Sequence, residues 1–224
     1  MSVRILGNLR TWIVVGILFA VALLALSPFD LTVSQHLAHL DSNFAQLVKI
    51  YGLWPFFPVY LLCLLQLSIP SIRKRSRMLS LTASAIIVQA LGLAWIVTGI
   101  FKWLWGRTRF YHLKPDYSNY MSIFNFDTGG AGVSFTSGHV ATALVTLPAV
   151  IVLARYGRTR AAWILLLCNA AYGIFMAYAR MLAGAHYLTD VLGAIALACF
   201  FAPLSVFLGE RYLKLFDKKQ SDVS

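Results

Sequence analysis

Three stretches of this chain carry residues suited to a tetrahedral oxyanion. In the first, FKWLWGRTRF at 101–110, Lys102 and Arg109 are seven apart. A helix continuing through both would set them two turns apart on one face, able to grip one anion together. In the second, SFTSGHVATAL at 134–144, Ser137 and Gly138 immediately precede a long apolar helix. There, free backbone N–H groups and the positive end of the helix dipole favour an anion. Gly138 lets a ligand approach the backbone, the Ser137 hydroxyl can donate, and His139 stands in the first turn beside the site. In the third, ARMLAGAHYLTDVLG at 179–193, His186 and Asp190 are four apart on one helix face, so the carboxylate can accept from one imidazole nitrogen and leave the other with a free lone pair. Arg180, six residues before His186, approaches from the end of the preceding helix.

Cations and N–H groups surround a phosphate, a His–Asp pair attacks it, and a second histidine delivers a proton: the combination points to phosphoryl transfer. Each stretch also has a plainer reading. Lys102 and Arg109, with Trp103 and Trp105, suit interfacial anchoring. Ser137 suits an ordinary helix cap, and Arg180 with Asp190 suits a buried pair joining two helices. Metal chemistry lacks ligands, because His36, His39 and His112 have no carboxylate cluster near them and no HExxH motif or paired-cysteine spacing occurs. Neither a metal nor another cofactor is expected.

The elements that must position these groups are membrane helices. Of 224 residues, 59 % are hydrophobic and 12 % charged, against roughly a quarter charged in soluble proteins. Hydropathy marks six spans at about 11–29, 50–69, 78–101, 139–156, 161–179 and 187–209. The expected fold is all-α, a polytopic six-transmembrane-helix bundle forming one domain over 1–224, with its core at about 78–209 and a solvated, partly disordered tail at 210–224. Arg4 and Arg10 ahead of an apolar run also describe a signal peptide, but LLALSPFD is a poor cleavage site. Cys63, Cys168 and Cys199 all fall in spans and read as small buried hydrophobes.

Net charge +11 could suggest nucleic acid, but the positions of the basic residues argue otherwise. Thirteen of the nineteen fall at Arg4 and Arg10, at Arg73, Lys74, Arg75 and Arg77, at Arg155, Arg158 and Arg160, and at Arg211, Lys214, Lys218 and Lys219. Six spans put all four clusters on one side, which the positive-inside rule makes cytoplasmic, together with both termini. The basic residues left are Lys49, Lys102, Arg107, Arg109, Lys114 and Arg180. The three chemical stretches then share the opposite face. Between Lys102 and Ser137 lies a segment rich in aromatics, with Gly129, Gly130 and Gly132 near its end. It reads either as a lid admitting a lipid headgroup or as an ordinary interfacial loop carrying part of the site.

Lys102-x6-Arg109, Ser137-Gly138-His139 and Arg180-x5-His186-x3-Asp190 together resemble the three-part signature of the type-2 phosphatidic acid phosphatases, the integral-membrane lipid phosphate phosphatases, over about residues 78–209. The resemblance implies a metal-independent phosphatase. His186 attacks phosphorus to form a phosphohistidine, Asp190 fixes its tautomer, and His139 protonates the leaving oxygen and later activates water. Lys102, Arg109, Arg180, Ser137 and Gly138 bind the phosphate. Three family positions differ: Phe110 and Thr136 replace prolines and Ala179 replaces a serine, which bears on loop rigidity and substrate preference.

The implied substrate is a lipid phosphate or pyrophosphate: the 1-phosphate of lipid A, undecaprenyl pyrophosphate or phosphatidylglycerol phosphate. The implied location is a bacterial inner membrane with the site facing the periplasm, among membrane lipids, with no nucleic acid and no obligate protein partner. A lipid-to-lipid phosphotransferase would use the same residues. A transporter would line its path with Arg180, His186 and Asp190, although these gather near one face rather than through the bilayer.

Overall fold

A computed structural model describes residues 5–221, with side chains to residue 215. Its helices are α1 (Leu9–Leu26), α2 (Asp30–Leu37), α3 (Asn43–Tyr51), α4 (Phe56–Ser68), α5 (Pro70–Arg75), α6 (Arg77–Val88), α7 (Thr98–Trp105), α8 (Gly138–Ala143), α9 (Leu147–Arg155), α10 (Thr159–Leu182) and α11 (Leu188–Ser221). A π-helical stretch, Gln89–Val97, joins α6 to α7, and no strand occurs among the described residues. Among the described residues, six helical stretches are long and apolar enough to cross a membrane: Leu9–Leu37, Asn43–Ser68, Arg77–His112, Gly138–Arg155, Thr159–Leu182 and Leu188–Leu215. The protein is an all-α, multi-pass membrane protein.

Two boundaries differ from expectation in ways that matter. The first span does not end near residue 29; a 3-10 turn at Ser27–Phe29 absorbs Pro28 and the helix resumes as α2, carrying Asp30 into the interior. The last helix runs on through Ser221 instead of loosening after Glu210, and Leu213 is buried.

The α8–α9 stretch is innermost, with seven of the nine α9 residues buried, and α11 packs against α1, α6 and α9. Small residues allow these approaches: Ala194, Ala198 and Ala202 are buried on α11. Gly92 admits the Phe201 ring, which a Cβ there would meet at 2.5 Å. Two buried polar side chains pair between helices, Ser205 Oγ donating to Gln89 Oε1 at 2.7 Å and Gln89 Nε2 to the Ala198 carbonyl at 3.2 Å. Outward faces carry exposed aliphatics such as Leu18, Leu62, Ile164 and Leu167. Cys168, expected to be buried, lies exposed beside Leu167 because α10 turns that face outward.

The basic clusters meet at one end. Arg155 pairs with Glu210 at 3.1 Å and donates to the Gly7 carbonyl at 3.1 Å, while Arg73, Lys74 and Arg77 border one recess with Leu213. Arg4 lies outside the described residues, as do the side chains of Lys218 and Lys219.

Candidate active site

At the other end, α7 stops at Trp105 because Gly106 adopts φ +51°, a left-handed C-cap. A Cβ at Gly106 would also fall 2.0 Å from the Asp127 carbonyl oxygen. The helix therefore does not continue through Arg109, which stands in extended backbone (φ −76°, ψ 152°), so Lys102 and Arg109 share no helix face. They converge by folding instead. Lys102 Nζ lies 3.5 Å from where a Gly138 Cβ would be. Lys102, Arg109 and Arg180 are close enough to repel one another, and His139 feels Lys102, Arg180 and His186.

The turn at Gly106 sends Arg107, singled out by no motif, into the interior, where it is fully buried. Its guanidinium donates to Asp190 Oδ1 at 2.7 Å, Thr189 Oγ1 at 2.8 Å, Asp30 Oδ2 at 2.9 Å and the Met121 carbonyl at 2.9 Å. The Tyr187 ring lies 4.1 Å from it. Thr189 completes the cluster by donating its N–H to Asp30 Oδ1 at 2.9 Å and its hydroxyl to Asp30 Oδ2. Neither Asp30 nor Arg107 is a site candidate by sequence, though a lone carboxylate inside an apolar run is itself a signal that a buried partner exists.

His186 is 2 % exposed and its Nδ1 donates to the Ser134 carbonyl at 2.7 Å. A carbonyl can only accept, so the proton sits on Nδ1 and Nε2 keeps its lone pair. The direct hydrogen bond expected from Asp190 is not made; its Oδ2 is 3.6 Å from Nδ1. The carboxylate is already occupied, Oδ2 accepting from the Ser134 hydroxyl and from Tyr187 N–H at 2.8 Å, and Oδ1 from Arg107. Ser134, also missed by sequence, thus connects Asp190 to the histidine, its hydroxyl held by one and its carbonyl orienting the other.

Ser137 caps α8, its Oγ accepting from Val140 N–H at 3.4 Å, and its own N–H donates to the Asp190 carbonyl at 3.2 Å. The long apolar helix expected here is broken: α8 spans six residues before a turn, and Pro148 opens α9. Proline lacks the N–H for an internal turn and clashes with the carbonyl four residues back. Arg180, in the last turn of α10, is 3 % exposed, and its Nε and Nη1 have no hydrogen-bond partner. Arg109 donates to the Tyr111 hydroxyl at 2.5 Å, and Tyr111 N–H to the Gly184 carbonyl at 3.2 Å, joining the first and third stretches.

Of the three departures, Thr136 is buried with an unpartnered Oγ1, Ala179 is buried, and Phe110 opens a short 3-10 turn and stacks on Tyr117. The segment expected as a possible lid is stitched down. Asp127, Gly129 and Ser134 N–H groups bond to the Trp105, Trp103 and Arg107 carbonyls at 3.0, 2.9 and 3.0 Å. Trp105 is a packing residue here, stacked on Phe101 with its Nε1 bonded to the Ile123 carbonyl at 2.8 Å. Gly132 lies so near the chain that a Cβ would meet the Gly106 carbonyl oxygen at 2.2 Å.

His186 falls between the last two spans, and burial lowers its imidazolium to about 4, opposed by the neighbouring Asp190 carboxylate. Nitrogen NMR of histidine-labelled protein should therefore show His186 neutral and protonated on Nδ1 down to about pH 4. A midpoint near the ordinary value of about 6.5, or a proton on Nε2, would contradict the geometry. Among the described residues there is no group of three or more His, Cys, Asp or Glu able to hold a metal. Residues 78–211 match the family model of the PAP2 superfamily, while no curated protein and no solved structure matches the chain.

Proposed function

The chain belongs to the PAP2 superfamily, whose members are phosphatases of phosphate esters, often lipids, and on that premise we propose that it hydrolyses a lipid phosphate through a covalent phosphohistidine. The observation that carries this reading is His186, held with Nε2 unprotonated beside three mutually repelling cations. Nε2 attacks phosphorus, the P–O bond to the lipid breaks, and His139 gives the leaving oxygen its proton. Water then attacks the phosphohistidine, passing a proton to His139, and phosphate leaves. Lys102, Arg109 and the unpartnered Arg180 nitrogens hold the non-bridging oxygens, with the Ser137 hydroxyl and the first N–H groups of α8.

Asp30 and Asp190 share a single guanidinium, leaving one negative charge in the interior. That charge suits the imidazolium created when His186 is phosphorylated. The cations supply the electrostatic role that a divalent metal plays in other phosphoryl-transfer sites. The site lies at the end away from the basic clusters, so the positive-inside rule assigns it to the extracytoplasmic face, in a bacterial inner membrane the periplasm.

Phosphate release from a panel of lipid phosphates, including lipid A 1-phosphate, undecaprenyl pyrophosphate and phosphatidylglycerol phosphate, tests the reading. Turnover of at least one, undiminished by EDTA, is expected. Inactivity on all, or suppression by EDTA, would overturn it.

A further inference from the structure

Tyr111 lies outside the three motifs, two residues past Arg109 in the short 3-10 turn Phe110–His112. Its backbone is anchored to the third stretch, the N–H donating to the Gly184 carbonyl at 3.2 Å. Gly184 makes that approach possible: its φ is +60°, and a Cβ there would meet Leu40 Cδ2 at 2.7 Å and Phe110 Cδ1 at 3.2 Å. The side chain then meets Arg109, whose Nη1 donates to the phenol oxygen at 2.5 Å and whose guanidinium carbon is 5.7 Å from the ring centre. Tyr111 also lines a cleft of about 230 Å³ together with Arg180, and is close enough to act on its charge.

A phenol oxygen can accept and donate at once. Accepting from Arg109 uses a lone pair and leaves the hydroxyl hydrogen, which meets no acceptor among the described residues. On the two guanidiniums that Tyr111 adjoins, Arg109 Nε and Arg180 Nε and Nη1 are buried donors that also lack partners. Three neighbouring side chains thus offer donors and no acceptor, the complement of an anion with several oxygens. A tyrosine can merely brace an arginine, but that role uses only its lone pair. The geometry points to Tyr111 as a further phosphate-binding residue, its hydroxyl donating to a non-bridging oxygen held between Arg109 and Arg180. The inference rests on the phosphatase reading above. The phenol keeps its proton throughout, so Tyr111 holds the group in transfer without entering the proton steps of His139. Being neutral, it adds a donor where another cation would add to the repulsion among Lys102, Arg109 and Arg180.

The full chain in detergent, acting on a lipid phosphate it turns over from the panel above, tests this with inorganic phosphate as competitive inhibitor. Tyr111→Phe keeps the ring beside Arg109 and removes the hydroxyl alone. It should lower kcat/KM about tenfold and weaken inhibition by phosphate by a similar factor, the scale of one charge-assisted hydrogen bond. Placing 3-fluorotyrosine at position 111 separates donor from acceptor, because fluorine makes the hydroxyl a stronger donor and a weaker acceptor. Below the pH at which that phenol ionises, inhibition by phosphate should tighten relative to wild type, whereas a mere brace for Arg109 would be weakened and inhibition with it. Inhibition unchanged in Tyr111→Phe, or unchanged or weakened with 3-fluorotyrosine, overturns the inference and leaves the phosphatase reading standing. If Tyr111→Phe does not purify, the 3-fluorotyrosine comparison decides alone. A wild type inactive on the whole panel overturns both.

Discussion

Replacing Arg107 with methionine should destabilise the protein by about 3–5 kcal/mol, the penalty for breaking a buried ion pair from one side. The change leaves Asp30 and Asp190, both fully buried, facing each other without the guanidinium that holds them at 2.9 and 2.7 Å. The Met121 carbonyl loses its donor as well. The thermal midpoint in detergent should fall steeply, and turnover should fall with it, since Asp190 also fixes Ser134 and thereby the His186 ring. Adding Asp30→Asn to Arg107→Met should recover part of the stability, because one of the two uncompensated charges is then removed. Equal midpoints for wild type and Arg107→Met would show that the cluster is not what holds this end together. Failure of the second substitution to recover stability would show that the cost was lost packing rather than stranded charge.

The second large effect is chiefly on chemistry. His186→Ala should reduce phosphate release by at least about 10⁴-fold, the scale seen when a nucleophile that acts as part of a unit is removed. Its stability cost should be smaller than that of Arg107→Met, about 1–3 kcal/mol for leaving the buried Ser134 carbonyl without a donor. The variant should insert, purify and bind lipid phosphate, because Lys102, Arg109 and Arg180 belong to other elements and keep their charges. Phosphate release by this variant within about a hundredfold of wild type would be incompatible with His186 as nucleophile, since a loss that small is only what general acid–base help contributes.

The contrast between Arg107 and Arg109 shows what could be read from sequence. The six spans followed from hydropathy, a periodic and local signal, and Arg109 was singled out by its spacing from Lys102, although the shared helix face that spacing implied is not formed. Which of the two arginines points inward depends on the left-handed turn at Gly106, and that turn is fixed by the close packing of Asp127 and Gly132 against it. Such tertiary contacts leave no period. Ser134 escaped for a similar reason: its carbonyl orients His186, and a backbone group has no residue type to recognise. Asp30 was the legible omission. A lone carboxylate at the end of an apolar run demands a partner, and Arg107 was among the six cations left over after the cytoplasmic clusters were assigned.

Trapping the covalent intermediate tests the central claim most directly. Acid-free quenching during turnover of a labelled lipid phosphate, followed by mapping of the modified peptide, should find one alkali-stable, acid-labile phosphoryl group on His186. The label should be absent from His186→Ala. Phosphate release with no labelled protein under conditions that preserve phosphohistidine, or a label on any other residue, would contradict the account.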